Sequence, residues 1–205
     1  HFYLNCLNTI STLLQNEKKE VANDMIIALS GHFRYMFRKS RSLVLLKEEL
    51  EEVQDYCRIY NIRNGIPLLV DMDVSKSEML CKVPILCIQT FVENAIKYYG
   101  KNGQMLQVRI QIRRIKKEDK KEFLKIRITD NGVGYTKENL DEFNKPVDKF
   151  VYKSSHVGID NLKYRFKLIF ENEADIYFYN APYSGAVVEM TIPVKEDDSD
   201  ENINN

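Results

Sequence analysis

An α+β fold is the expectation for this chain, and three observations predict it. The first ~63 residues hold no proline and only Gly31, and their apolar residues recur at helical spacing. Beyond "NGIP" (64–67) the pattern changes to stretches that alternate with period two, interleaved with two more helical stretches. The strand-like stretches "QMLQVRIQIRRI" (104–115) and "EFLKIRITD" (122–130) are neighbours in sequence, so they are expected to pair antiparallel, giving a mixed, mostly antiparallel sheet with helices on one face.

In chain order, Phe2, Leu4, Leu7, Ile10, Leu13 and Leu14 form one apolar helical stripe, and Met25, Ile26, Leu29, Phe33, Met36 and Phe37 a second. "QNEKKE" (15–20) and "KSRS" (39–42) break the helices, and "LLKEELEEVQDYCRIYNIR" (45–63) reads as a third, strongly amphipathic one. Such faces need partners, and a bundle with another copy of the chain is the natural solution. "PLLVDMDV" (67–74) is a strand; "VPILCIQTFVENAIKYYG" (83–100) reads as one helix with Pro84 near its start and Gly100 at its end. The stretch 135–157 reads as irregular. "GIDNLKYRFKLIF" (158–170) is helical, and 174–181 and 185–194 are strands around "PYSG" (182–185). The expected organisation is a helical segment 1–63, a second domain 64–195 and a disordered acidic tail 196–205.

Composition narrows the function. With 30 Lys+Arg against 30 Asp+Glu the chain lacks the basic surplus of a nucleic-acid binder. The four cysteines form no CxxC pair and read as buried reduced thiols, without zinc-ligand spacing to His32 or His156. No run of ~18 apolar residues spans a membrane. The chain opens on His1 rather than methionine, which points to a piece of a longer protein.

Three stretches can carry chemistry. In "ENAIK" (93–97), Glu93, Asn94 and Lys97 fall within one helical turn. An amide oxygen suits Mg²⁺ and an ammonium suits phosphate, although such a stripe is also an ordinary solvated helix face. In "DNGVG" (130–134), Gly132 and Gly134 allow close backbone approach to a flat ligand, and Asp130 can accept a hydrogen bond from an exocyclic amino group; a plain turn is the alternative. In "HVGIDN" (156–161), Gly158 precedes a helix whose free N–H groups suit phosphate, as any helix start does.

Taken together, E-N-x-x-K, two strands, D-x-G-x-G, an irregular stretch, then Gly and a helix resemble the GHKL (Bergerat) ATP-binding fold, over roughly 66–194. "ENAIKYYG" resembles its N box, "DNGVG" its first glycine box and "GIDN" its second. The resemblance implies that Asn94 holds Mg²⁺, Lys97 contacts phosphate, Asp130 reads the adenine amino group and 135–157 is an ATP lid. Tyr98, Gly132, Gly134, Gly158 and Asn161 would complete the nucleotide site, with Glu93 facing the phosphates.

"HFYLNCLNTI" in turn resembles the H box of the LytS-like sensor histidine kinases, N-P-H-F-x-x-N-x-L-N, with His1, Phe2, Asn5, Leu7 and Asn8 in register. This resemblance implies a phosphoacceptor at His1, oriented by Asn5, in a homodimeric cytoplasmic fragment of an inner- or plasma-membrane bacterial sensor. ATP and Mg²⁺ would be its cofactors and a response-regulator aspartate its phosphotransfer target. A membrane contact would come only through upstream segments. Two departures stand out: His156 occupies the first glycine position of the second glycine box, and Phe2 follows His1 where other histidine-kinase classes place an acid. A nucleotide-binding regulatory module without kinase activity is the competing expectation.

Overall fold

The computed structural model describes residues 2–37, 42–65, 67–99, 105–117, 120–146, 157–171, 173–183 and 185–195. His1, His156 and the tail 196–205, all named above, lie outside the described residues. Helix α1 (Phe2–Gln15) and helix α2 (Lys19–Phe37) pack together through Cys6, Ile10, Ala22, Met25, Ala28 and Leu29. Between them the chain turns through Glu17, at φ 60°.

Strand β1 (Leu43–Leu45) leads into α3 (Leu46–Asn64), which closes on Gly65 in the left-handed region with its N–H on the Asn61 carbonyl. The apolar face of α3 finds its partners inside the same chain. Ile59 joins the α1–α2 cluster, whereas Leu46, Leu50, Val53 and Cys57 enter the core of the sheet. Helix α3 thus contributes to both cores. Two of its carboxylates are buried as well: Glu49 is 0 % and Glu52 2 % exposed. Each meets a donor from α2, Tyr35 Oη on Glu49 and His32 Nδ1 on Glu52. A sequence pattern assigns glutamates to a wet face; the paired donors are what permit burial here.

The five-stranded sheet runs β2-β4-β5-β7-β6, with β2 (Leu68–Asp73), β4 (Leu106–Lys116), β5 (Glu122–Asp130), β6 (Asp175–Asn180) and β7 (Ala186–Pro193). Only β2 and β4 pair parallel; every other pair is antiparallel, including the expected β4–β5 pair with Val108 opposite Asp130. Alternation decides the two faces. Val108, Ile110, Ile112, Leu124, Ile126 and Ile128 point into the core, against α4 (Gln89–Tyr98), α5 (Lys137–Phe143) and α6 (Val157–Phe170). The opposite face is charged and carries exposed pairs such as Arg109–Asp71 and Arg127–Glu189. This two-layer arrangement is the α+β architecture expected.

Two expectations are corrected. The stretch 83–100 is not one helix. Lys82–Pro84 form strand β3, which pairs antiparallel with β1, and Leu86 takes a positive φ of 62° before α4 begins at Gln89. The pairing holds the backbone extended, and Val83, as the residue before Pro84, is itself biased away from the helical region. Secondly, 135–157 is not irregular throughout, because α5 lies inside it; residues 147–156 fall outside the described ones. Thr136 caps α5, its Oγ accepting from the Asn139 N–H at 3.2 Å. Thr136→Ala is expected to cost about 1 kcal/mol, a fall of roughly 2–4 °C in melting temperature, measurable by calorimetry.

Among the described residues no helix is long and apolar enough to cross a membrane. The four cysteines are buried and none is in a disulfide.

Candidate nucleotide site

The first glycine box is a turn built around one carboxylate. Asp130 ends β5, and its Oδ1 accepts from the Gly132 N–H at 2.8 Å and from the Ala186 N–H at 3.1 Å. Both bonds use Oδ1, which leaves Oδ2 for a ligand. A Cβ on Gly132 would lie 3.0 Å from Oδ1 and 3.7 Å from the Tyr99 Cα, so the turn comes close to the end of α4. Gly134 has φ +78°, and a Cβ there would sit 2.7 Å from the Asn180 Oδ1. That same Oδ1 accepts from the Tyr135 N–H, while Asn180 Nδ2 donates to the Tyr135 carbonyl. Asn144 repeats the device one helix later, exchanging two bonds with the backbone of Phe178. Two asparagine side chains thus fasten both ends of α5 to β6, and the described half of the expected lid is anchored to the sheet.

Asp130 lines a cavity of about 190 Å³ whose wall is largely apolar: Phe91, Ala95, Ile128, Tyr135, Phe143, Ile159 and Val188. Phe143 and Phe178 meet Tyr135 edge-on at 5.6 and 5.9 Å between ring centroids, which stiffens one side. Asn94, Tyr98 and Gly134 line the same cavity. An apolar slot with one carboxylate at its base suits a flat heteroaromatic ring that presents an amino group.

Burial pushes the Asp130 carboxyl above its ordinary value, against the pull of its two backbone donors. The sign follows. Protonation removes the acceptor, so affinity for an amino-bearing base is expected to fall as pH drops through that raised value. A nucleotide titration carried from about pH 8 downward for as far as the chain stays folded checks this; affinity that does not fall on acidification contradicts it.

Of the other sequence-predicted residues, Glu93, expected to face the phosphates, lies outside this cavity. It stands on another side of α4 from Asn94, at a second cleft shared with Phe2, Tyr3, His32 and Gln89. Gln89 Nε2 donates to Glu93 Oε1 at 2.8 Å, and desolvation raises the Glu93 carboxyl although solvent still reaches the residue. Lys97 and Asn161 are exposed and line neither space; Lys97 Nζ lies 5.0 Å from the Tyr98 ring centroid. Gly158 approaches the start of α4, with the Thr90 methyl 3.6 Å from where its Cβ would be, and its neighbour Ile159 reaches the cavity. Asn5 is half-buried on α1 and lines neither space.

Sequence reasoning missed Gly185, Asn180 and Asn144. Gly185 has φ +101°, and a Cβ there would fall 1.8 Å from the Asp130 carbonyl oxygen. The "PYSG" turn was its only signal; nothing in the sequence marks the two asparagines.

Residues 84–196 match the family described as histidine kinase-, DNA gyrase B- and HSP90-like ATPase, and the chain belongs to that family. Residues 1–68 match the histidine kinase family, so within the ATPases the chain falls with the sensor histidine kinases. It is 31 % identical over 196 residues to the sensor protein LytS of Staphylococcus saprophyticus, covering 94 % of this chain and 32 % of that one. To LytS of Enterococcus faecalis it is 28 % identical over 206 residues, covering 100 % and 34 %. The chain therefore spans about a third of the length of these relatives. The fold is that of the mycobacterial sensor histidine kinase MprB, at TM-score 0.50 and 14 % identity over 76 % of this chain and 98 % of that one.

Proposed function

We propose that the chain is the kinase region of a two-component sensor, phosphorylating His1 from ATP and passing the group to an aspartate of a response regulator. The observation that carries this reading is Asp130 at the base of an apolar cavity, with Asn94 on the same wall. The histidine-kinase match over 1–68 favours a kinase over a regulatory module that only binds nucleotide.

Asp130 accepts the adenine amino group, and Tyr135 and Phe143 flank the ring. Among the described residues no group of three or more His, Cys, Asp or Glu could hold a metal by itself. This fits Mg²⁺, which keeps several waters and takes phosphate oxygens with one or two protein ligands. The Asn94 carboxamide would be that ligand, and the ion would supply charge neutralisation on the phosphates. Lys97, one turn beyond Asn94 on α4, would be the further cation toward the triphosphate.

Phosphoryl transfer asks chiefly for positioning. A nitrogen of the neutral His1 imidazole forms the bond to the γ-phosphorus, the bond to the bridging oxygen breaks, and ADP leaves. The cleft that Glu93 shares with Phe2 and Tyr3, next to His1 in sequence, supports a role for this carboxylate toward the imidazole. It would take the ring proton that an acid beside the histidine takes in other classes. Asn5, one turn along α1, orients the ring.

Leu4, Leu7 and Leu14 on α1 and Ile26 and Ile27 on α2 are exposed in the single chain, and a second copy would cover them as a homodimer. Membrane attachment would come from segments outside this chain, with this region on the cytoplasmic side. Incubation with γ-labelled ATP and Mg²⁺ tests the function. A kinase acquires label; a chain that binds an ATP analogue yet never labels is a binding module.

A further inference from the structure

Helix α4 carries Asn94 and Tyr98 into the cavity, and its beginning is held from outside the sheet domain's own strands. The Glu49 carboxylate, fully buried on α3, accepts from the Leu86 N–H at 2.8 Å, the Ile88 N–H at 2.9 Å and the Gln89 N–H at 3.2 Å. Its fourth donor is the hydroxyl of Tyr35 on α2. A helix start leaves its first N–H groups without partners, and here a carboxylate from another helix supplies them. Leu86 sits in the left-handed region, which a leucine keeps only when its surroundings fix it. Besides Glu49, Arg165 of α6 grips the same turn through the Ile85 carbonyl. Burial raises the Glu49 carboxyl, and the four donors oppose that shift without reversing it.

We propose that Glu49 is a positioning residue for the nucleotide site, fixing the start of α4 and thereby the placement of Asn94, and that it makes the α2–α3 pair and the N-box helix one mechanical unit. The donor set explains why a charge is tolerated at 0 % exposure. Glutamine at this position would keep the shape but turn an N–H toward backbone N–H groups. The proposal rests on the reading of Asn94 as the Mg²⁺ ligand. Asp130, by contrast, is carried by β5, and none of the four Glu49 donors lies on that strand.

The two contributions can be separated by titrating the full-length protein with a fluorescent ATP analogue, with and without Mg²⁺. Glu49→Gln is expected to shrink the Mg²⁺-dependent gain in affinity about tenfold and to lower affinity without Mg²⁺ about threefold or less. A gain equal to the wild type's, or a parallel fall of both affinities, overturns the proposal. Should Glu49→Gln not fold, Tyr35→Phe removes one donor and keeps the ring; it is expected to reduce the gain about threefold, and an unchanged gain overturns the proposal equally. A wild type with no Mg²⁺-dependent gain would overturn the Asn94 reading itself, and this inference with it.

Discussion

Asp130→Asn is expected to abolish useful nucleotide binding while leaving the fold intact. The amide oxygen can still accept from the Gly132 and Ala186 N–H groups, so the turn keeps its shape. The other position becomes an NH₂ facing the amino group of the base, donor against donor. Losing a charge-assisted bond in a largely apolar cavity costs about 2–3 kcal/mol, roughly 30- to 150-fold in affinity. The stability change has the opposite sign. The Asp130 carboxyl is raised by burial, so the folded chain holds its proton more firmly than the unfolded chain. Its ionisation therefore costs stability as pH rises from the ordinary carboxylate range through the raised value, and the cost persists above it. An uncharged side chain removes that cost. Calorimetry at neutral pH should show a melting temperature equal to or above the wild type's. A variant that loses binding and also melts earlier would mean that Asp130 serves the fold rather than a ligand.

Gly185→Ala is expected to do the reverse and to damage the fold itself. The new Cβ would stand 1.8 Å from the Asp130 carbonyl oxygen and 2.8 Å from its carbon, both backbone atoms that no rotamer can move aside. The residue also occupies φ +101°, outside the range an alanine adopts without strain. Overpacking and backbone strain together come to about 3–5 kcal/mol, a fall of roughly 6–20 °C in melting temperature. The β6–β7 turn would separate from the end of β5, and Ala186 would no longer donate to Asp130. Thermal unfolding followed by circular dichroism checks the outcome, and a shift under 2 °C would contradict it.

Much of the fold and part of the site were legible because they rest on local patterns. The alternation of 104–115 and 122–130 gave β4 and β5 and their pairing, since period two against one core admits little else. Asn94, Asp130 and Gly134 stand out through the resemblance to the GHKL boxes, and all three line one cavity. What was not legible depends on contacts across the chain. The break before α4 depends on β1, about forty residues upstream, and on Glu49, neither of which is visible in 83–88 itself. Nothing local marks Glu49 and Glu52 for burial, because their donors, Tyr35 and His32, come from another helix. Glu93 shares a turn with Asn94, yet neighbours on a helix lie ~100° apart, which is enough to turn one toward the cavity and the other toward α1.

The central claim, that this fold moves phosphate from ATP to His1, is tested most directly by labelling the full-length protein with γ-labelled ATP and Mg²⁺, beside its His1→Gln variant. The account predicts an acid-labile, base-stable label on the wild type and none on the variant, with ATP-analogue affinity unchanged between them. Label that survives the substitution would contradict it.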